Sequence, residues 1–219
     1  MHAHTNRSRN LRSEELETRD AAIRRGKLLE NFTVAWNLLE GLIAVGVGLL
    51  AGSIALIGFG IDSIIEVSSA LVLMWRLHHA TGDKDEAAEH RARKIVGVCF
   101  LALAAYIAFD SVKSLITKER PEESIVGIVL ALLSVIVMPL VARAKRKVAA
   151  ALNSGAMRAD SQQTQLCAYL SAILLFGLGM NALVGWWWAD ALAALVMLPI
   201  IVNEGVETLK GNSCQCHSE

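Results

Sequence analysis

Residues 32–75, FTVAWNLLEGLIAVGVGLLAGSIALIGFGIDSIIEVSSALVLMW, contain no basic residue and only three acids, Glu40, Asp62 and Glu66. At about 1.5 Å per residue the run spans roughly 66 Å as helix, twice the thickness of a bilayer core. It therefore reads as two membrane crossings, near 33–52 and 55–76, joined by a turn at Ala51, Gly52 and Ser53.

The rest of the chain repeats the pattern. A third run, Ile95 to Ile116, ends in a polar segment where Pro121 marks a break, and a fourth covers Ile125 to Ala142. Leu166 to Val202 carries a single charge, Asp190, and at about 55 Å it too must cross twice, turning near Gly185; the fifth span begins near Ala159. The expectation is an all-α integral membrane protein: a six-transmembrane-helix bundle over residues 32–208, with a polar N-terminal arm at 1–31 and a short tail at 209–219. Within the arm, Ser13 to Gly26 is expected to form a helix capped by Ser13.

Composition agrees. The 219 residues are 54% hydrophobic and 19% charged, and mean hydropathy is +0.44, more apolar than soluble domains usually are. With 21 basic and 21 acidic residues nothing favours a nucleic-acid partner, and the four cysteines show no secreted disulfide spacing. No cleavable signal peptide is visible. No nucleophile–base pattern, phosphate loop or haem motif supports an enzyme.

Charge placement sets the orientation. Eighteen basic residues fall in the N-terminal arm, the connections between spans two and three and between four and five, and Lys210; only Lys113, Lys118 and Arg120 fall on the other face. Basic residues concentrate on the cytoplasmic side, so both termini are expected there, in a bacterial-type inner or plasma membrane. Trp186, Trp187 and Trp188 then lie at the outer interface, where indole rings favour the headgroup level.

Carboxylates inside a span each cost about 2.5–3.5 kcal/mol on insertion scales and call for a reason. Asp62 and Glu66, four residues apart, share one face of the second span. Two neighbouring carboxylates in low dielectric cannot both stay ionised without a counter-charge, so the pair should hold protons when empty and release them to a dication. Interhelical hydrogen bonding is the competing reading, although Ser, Thr or Asn usually serve that purpose. On the fifth span Asp160, Gln163 and Cys167 follow at spacings of three and four, and Ser171 continues the stripe. Glu66 and Cys167 fall at similar depth, about 12–14 Å from the cytoplasmic boundary. A thiolate with carboxylate oxygens and an amide or water suits zinc better than magnesium or calcium. For Cys167 a small packed residue is the alternative. Asn37 and Glu40 on the first span and Asp110 on the third are candidates for an ion path or for interhelical hydrogen bonds.

Ser53 to Ser69 and Ala159 to Ser171 resemble the second and fifth spans of the cation diffusion facilitator (cation efflux) family of divalent-metal/proton antiporters. The resemblance implies two metal ligands per span: Asp62 and Glu66 match the second-span positions. On the fifth, Ala159 and Asp160 match the motif while Gln163 and Cys167 stand where the family has His and Asp. It covers the six spans, roughly residues 28–208, and the cytoplasmic metal-binding domain that many members carry after the sixth span is not expected here. What it implies is proton-coupled efflux of a divalent metal ion, zinc first, as transported substrate with no prosthetic group. The partners are then the metal ion, protons and the lipid bilayer, with a homodimer left open.

Two alternatives stay open: a membrane-embedded metal sensor or accessory subunit that binds without transporting, and an exporter of organic cations relying on Glu40. Asp190 is expected to cap the sixth helix and Glu204 to be solvated. Cys214, Cys216 and His217 form a candidate metal-capturing tail, with spacing too tight for an ordinary closed zinc site. Gly41, Gly46 and Gly48 are expected to admit close helix approach.

Overall fold

The computed structural model describes the backbone of residues 2–78 and 84–210, and most side chains of these from Arg19 onward. Among the described residues the chain forms six helices and no strand: α1 (His2–Ala51), α2 (Ile54–His78), α3 (Lys84–Thr117), α4 (Ile125–Leu152), α5 (Gly155–Val184) and α6 (Ala189–Lys210). Five are long and apolar enough to cross a membrane: the Arg19–Ala51 part of α1, Lys94–Thr117 of α3, Ile125–Leu152, Asp160–Val184 and α6. The 25 residues of α2, about 37 Å long, lie against α1, α3, α5 and α6. Outward-facing side chains are apolar, Leu50, Ile116, Ile125, Phe109 and Leu183 among them, as lipid requires of a multi-pass membrane protein.

Local chemistry places the turns. Gly52 takes a φ of +66°, open to glycine without a Cβ penalty, and the Ser53 N–H reaches back to the Gly48 carbonyl at 3.0 Å, closing the end of α1. Gly185 ends α5 in the same left-handed region, and Asn153 does so for α4. Ser124 and Ser154 cap α4 and α5, accepting from the N–H of Gly127 at 3.0 Å and Met157 at 3.3 Å. The α3–α4 connection is pinned at the same end of the bundle: Glu122 N–H donates to the Ala51 carbonyl at 2.7 Å and Asn181 to the Pro121 carbonyl at 3.2 Å.

Three expectations need correction. No break separates an arm helix from the first span; α1 runs unbroken from His2, so Ser13 stands inside the helix and not at its start. The fourth helix continues ten residues past Ala142 and carries part of the basic run 143–147 into the bundle. Asp190, in the first turn of α6, is fully buried and serves a different helix: it accepts the Ser53 hydroxyl at 2.5 Å and the N–H groups of Ile54 at 2.8 Å and Ala55 at 3.4 Å, at the start of α2. The tail cysteines and His217 lie outside the described residues.

The helices of the α1–α2 hairpin approach closely through glycines. A Cβ on Gly60 would meet the backbone N of Val45 at 2.8 Å, and one on Gly41 the carbonyl oxygen of Gly60 at 2.9 Å. Gly48 is equally tight against Ile57, whereas Gly46 faces open space and does not contribute.

Candidate metal site

This close crossing aligns the polar residues of α1 with those of α2. Asp62 and Glu66 are both buried, 3% and 8% exposed, on the inward face that their four-residue spacing requires. Asn37 donates through Nδ2 to Glu66 Oε2 at 2.8 Å. The Ser63 hydroxyl lies 3.1 Å from the Phe59 carbonyl and 3.4 Å from Glu40 Oε2. Glu40 is itself buried, with Trp36 and Ser134 beside its carboxyl.

From α5, Cys167 is fully buried, near enough to Glu66 for that carboxyl's charge to act on the thiol, though no hydrogen bond joins them. Gln163 lines a cavity of about 20 Å³, water-sized, together with Glu66, Asn37, Thr33, Thr164 and Asp160. The neighbouring hydroxyls are turned onto their own helices: Ser171 donates to the Cys167 carbonyl at 2.7 Å, Thr164 to Asp160 at 3.0 Å and Thr33 to Leu29 at 2.8 Å. They leave the carboxylates, the amides and the thiol as the donors available to an ion.

The α1, α2 and α5 donors therefore meet around Glu66. Asp62 sits one turn nearer the α1–α2 turn, and among the described residues no three His, Cys, Asp or Glu side chains converge as a bound ion would gather them. The donor set nevertheless suits a borderline dication, and three buried oxygens, Asn37 Oδ1, Glu40 Oε1 and Asp62 Oδ2, have no hydrogen-bond partner. Orphaned buried oxygens of this kind are costly unless a proton or a cation satisfies them.

Asp160 sits at the far edge of the cavity and is held by an ammonium. Lys145 of α4, with no exposed side-chain surface, places Nζ 2.7 Å from Asp160 Oδ2 and 3.4 Å from Glu30 Oε2 on α1. Neither Lys145 nor Glu30 was singled out from the sequence. A signal existed: Lys145 continues the stripe Met138, Val141, Ala142, Val148, Ala149 at three- and four-residue spacing, all buried, while Arg143, Arg146 and Lys147 face outward. Glu204 is a further correction. It is half-buried on α6, close enough to Asp62 and Glu66 for its charge to act on both. Asp110 stands apart on α3, paired with Tyr106 of its own helix at 3.3 Å and outside the cavity.

Residues 32–213 match a family model described as the cation efflux transmembrane domain. Similar proteins include an uncharacterized transporter of Synechocystis sp., 26% identical over 160 residues that make up 70% of this chain and 52% of that protein. Transmembrane protein 163 of Xenopus laevis is 24% identical over 180 residues, 81% of this chain and 63% of that protein. The cation-efflux pump FieF of Shewanella oneidensis is 24% identical over 178 residues, 78% of this chain and 60% of the pump. The chain thus spans between about half and two thirds of the length of these relatives.

Proposed function

This chain belongs to the cation efflux family, and we propose that it exports a divalent metal cation, zinc first among candidates, from the cytoplasm in exchange for protons. The observation that carries the reading is the setting of Glu66: a buried carboxylate on α2 bonded to Asn37 of α1, on a cavity also lined by Gln163 of α5, the helix that carries the buried Cys167. Asp62 and Glu66 supply the charge that neutralises the dication. Cys167 contributes a soft ligand, and Asn37 Oδ1 or Gln163 completes four-fold coordination after a small inward movement of α5.

Electrostatics couple the metal to protons. Two carboxylates at this depth are tolerable only when protonated or metal-bound, so each dication that binds displaces protons, and protons returning from outside displace the dication. The loading side is taken from the sequence distribution of basic residues, 18 of 21 in the arm, the connections between spans two and three and between four and five, and Lys210, which favours that side as cytoplasmic.

The test is transport in proteoliposomes loaded with a fluorescent metal reporter, comparing the native chain with Asp62→Ala and Glu66→Ala. Loss of pH-gradient-driven flux in both variants is expected; unchanged, proton-independent flux would remove these residues from the mechanism. Stoichiometric binding by the native chain with no flux would favour a membrane-embedded sensor instead.

A further inference from the structure

A second charged cluster lies nearer the end of the bundle opposite the α1–α2 turn. Lys145 on α4, Glu30 on α1 and Asp160 on α5 come from three helices, and the Lys145 side chain is wholly enclosed. Measured along α4 from Ile125, Lys145 is about 30 Å from the end of the bundle that carries the α1–α2 turn, at the opposite boundary of the hydrocarbon layer.

Two features set this cluster apart from structural glue. A buried ion pair is weak evidence of stabilisation, because apolar residues of similar volume commonly do as well or better. The cluster is also unbalanced: two carboxylates share one ammonium, and Glu30 Oε1 is buried with no partner. With both carboxylates ionised it is one positive charge short, and through Asp160 it opens onto the cavity that holds Glu66, Asn37 and Gln163.

We propose that Glu30, Lys145 and Asp160 form an internal cation latch, in which the tethered Lys145 ammonium holds Asp160 until a dication arriving from that end of the bundle displaces it and takes the carboxylate as its first docking ligand. The inference rests on the transport reading above. A dication attracts the two carboxylates twice as strongly as the ammonium does and repels the ammonium itself, so occupancy by one loosens the other. Lys145 remains tethered within reach of Glu30, and when the metal moves inward to Asp62 and Glu66 the ammonium returns to Asp160 and closes the path behind it. No bond is made or broken; one cation exchanges for another.

The test uses the intact native chain in proteoliposomes. Pulse acetylation with acetic anhydride, read by mass spectrometry, is expected to leave Lys145 protected without metal and to modify it several-fold faster in saturating Zn²⁺, while Arg146-adjacent Lys147 on the outer face reacts alike in both. In parallel, Lys145→Gln is expected to lower both KM for Zn²⁺ and kcat, because Asp160 is freed for docking but nothing drives the ion off it, and Lys145→Arg should restore both. A purely structural lysine would reduce the folded yield and leave KM alone. Zn²⁺ transport with unchanged Lys145 labelling, or an unchanged KM in Lys145→Gln, overturns the latch and leaves the transporter standing. No flux of Zn²⁺, Cd²⁺, Mn²⁺ or Co²⁺ by the native chain overturns both.

Discussion

Removal of the Asp190 carboxylate by Asp190→Ala should unfasten α6 from the start of α2. The side chain is 1% exposed and takes three donors, the Ser53 hydroxyl at 2.5 Å, the Ile54 N–H at 2.8 Å and, more weakly, the Ala55 N–H at 3.4 Å. Hydrogen bonds to a charged acceptor contribute about 1.5–3 kcal/mol each, and the 3.4 Å contact little, so the expected loss is about 3–5 kcal/mol. Asp190→Asn keeps one carbonyl acceptor and should lose about 1–2 kcal/mol. Ser53 both donates to Asp190 and accepts from the Leu56 N–H at 3.1 Å, so Ser53→Ala should lose about 2 kcal/mol, part of it through the shared bond. The assay is reversible unfolding in mixed dodecyl maltoside and dodecyl sulfate micelles, followed by far-ultraviolet circular dichroism, on both single variants and the double variant. A coupling of about 1–2 kcal/mol is expected in the cycle. A loss below about 0.5 kcal/mol for Asp190→Ala, or strict additivity with Ser53→Ala, would show that the carboxylate does not hold the two helices together.

Gly60→Ala should cost about 2 kcal/mol or more in the same assay, because its Cβ meets the Val45 backbone at 2.8 Å, while Gly46→Ala, with open space around it, should be neutral or stabilising by up to about 1 kcal/mol; equal effects would deny the close α1–α2 crossing. Asn37→Ala removes the donor that orients Glu66 at 2.8 Å and should raise the KM for metal about tenfold, one charge-assisted bond's worth, with Asn37→Asp failing to rescue it; a KM within twofold of native would remove Asn37 from the site. Cys167→Ser exchanges a soft ligand for a hard one and should shift transport preference from Zn²⁺ and Cd²⁺ toward Mn²⁺ in a competition assay; an unchanged ratio would mean that the thiol does not touch the ion. Lys113→Ala, at a solvent-exposed pair with Glu119 separated by 3.2 Å, should leave the unfolding midpoint unchanged in the same assay; a clear shift would deny that solvent screens the pair.

The features that were legible beforehand are those set by neighbours in the chain. Spans announce themselves through runs of apolar residues, and the turns at Gly52 and Gly185 fall where a positive φ is needed, at +66° and +70°. The shared face of Asp62 and Glu66 follows from helical period alone. Misplaced ends have equally local causes. Charge begins after Ala142 and so hides the continuation of the fourth helix, yet helix geometry allows one basic side chain of such a run to turn inward while its neighbours remain outside.

A bundle of membrane-crossing helices with acids inside it can be read from composition and helical period, since the hydrophobic effect and backbone satisfaction act over stretches of about twenty residues. The partner of each buried polar group depends instead on how the helices pack. Asn37 finds Glu66 across 29 positions, Lys145 finds Glu30 across 115, and Ser53 finds Asp190 across 137. A charge inside a membrane must be paired, but its partner is chosen by how six helices pack around one another, and no local pattern records that choice.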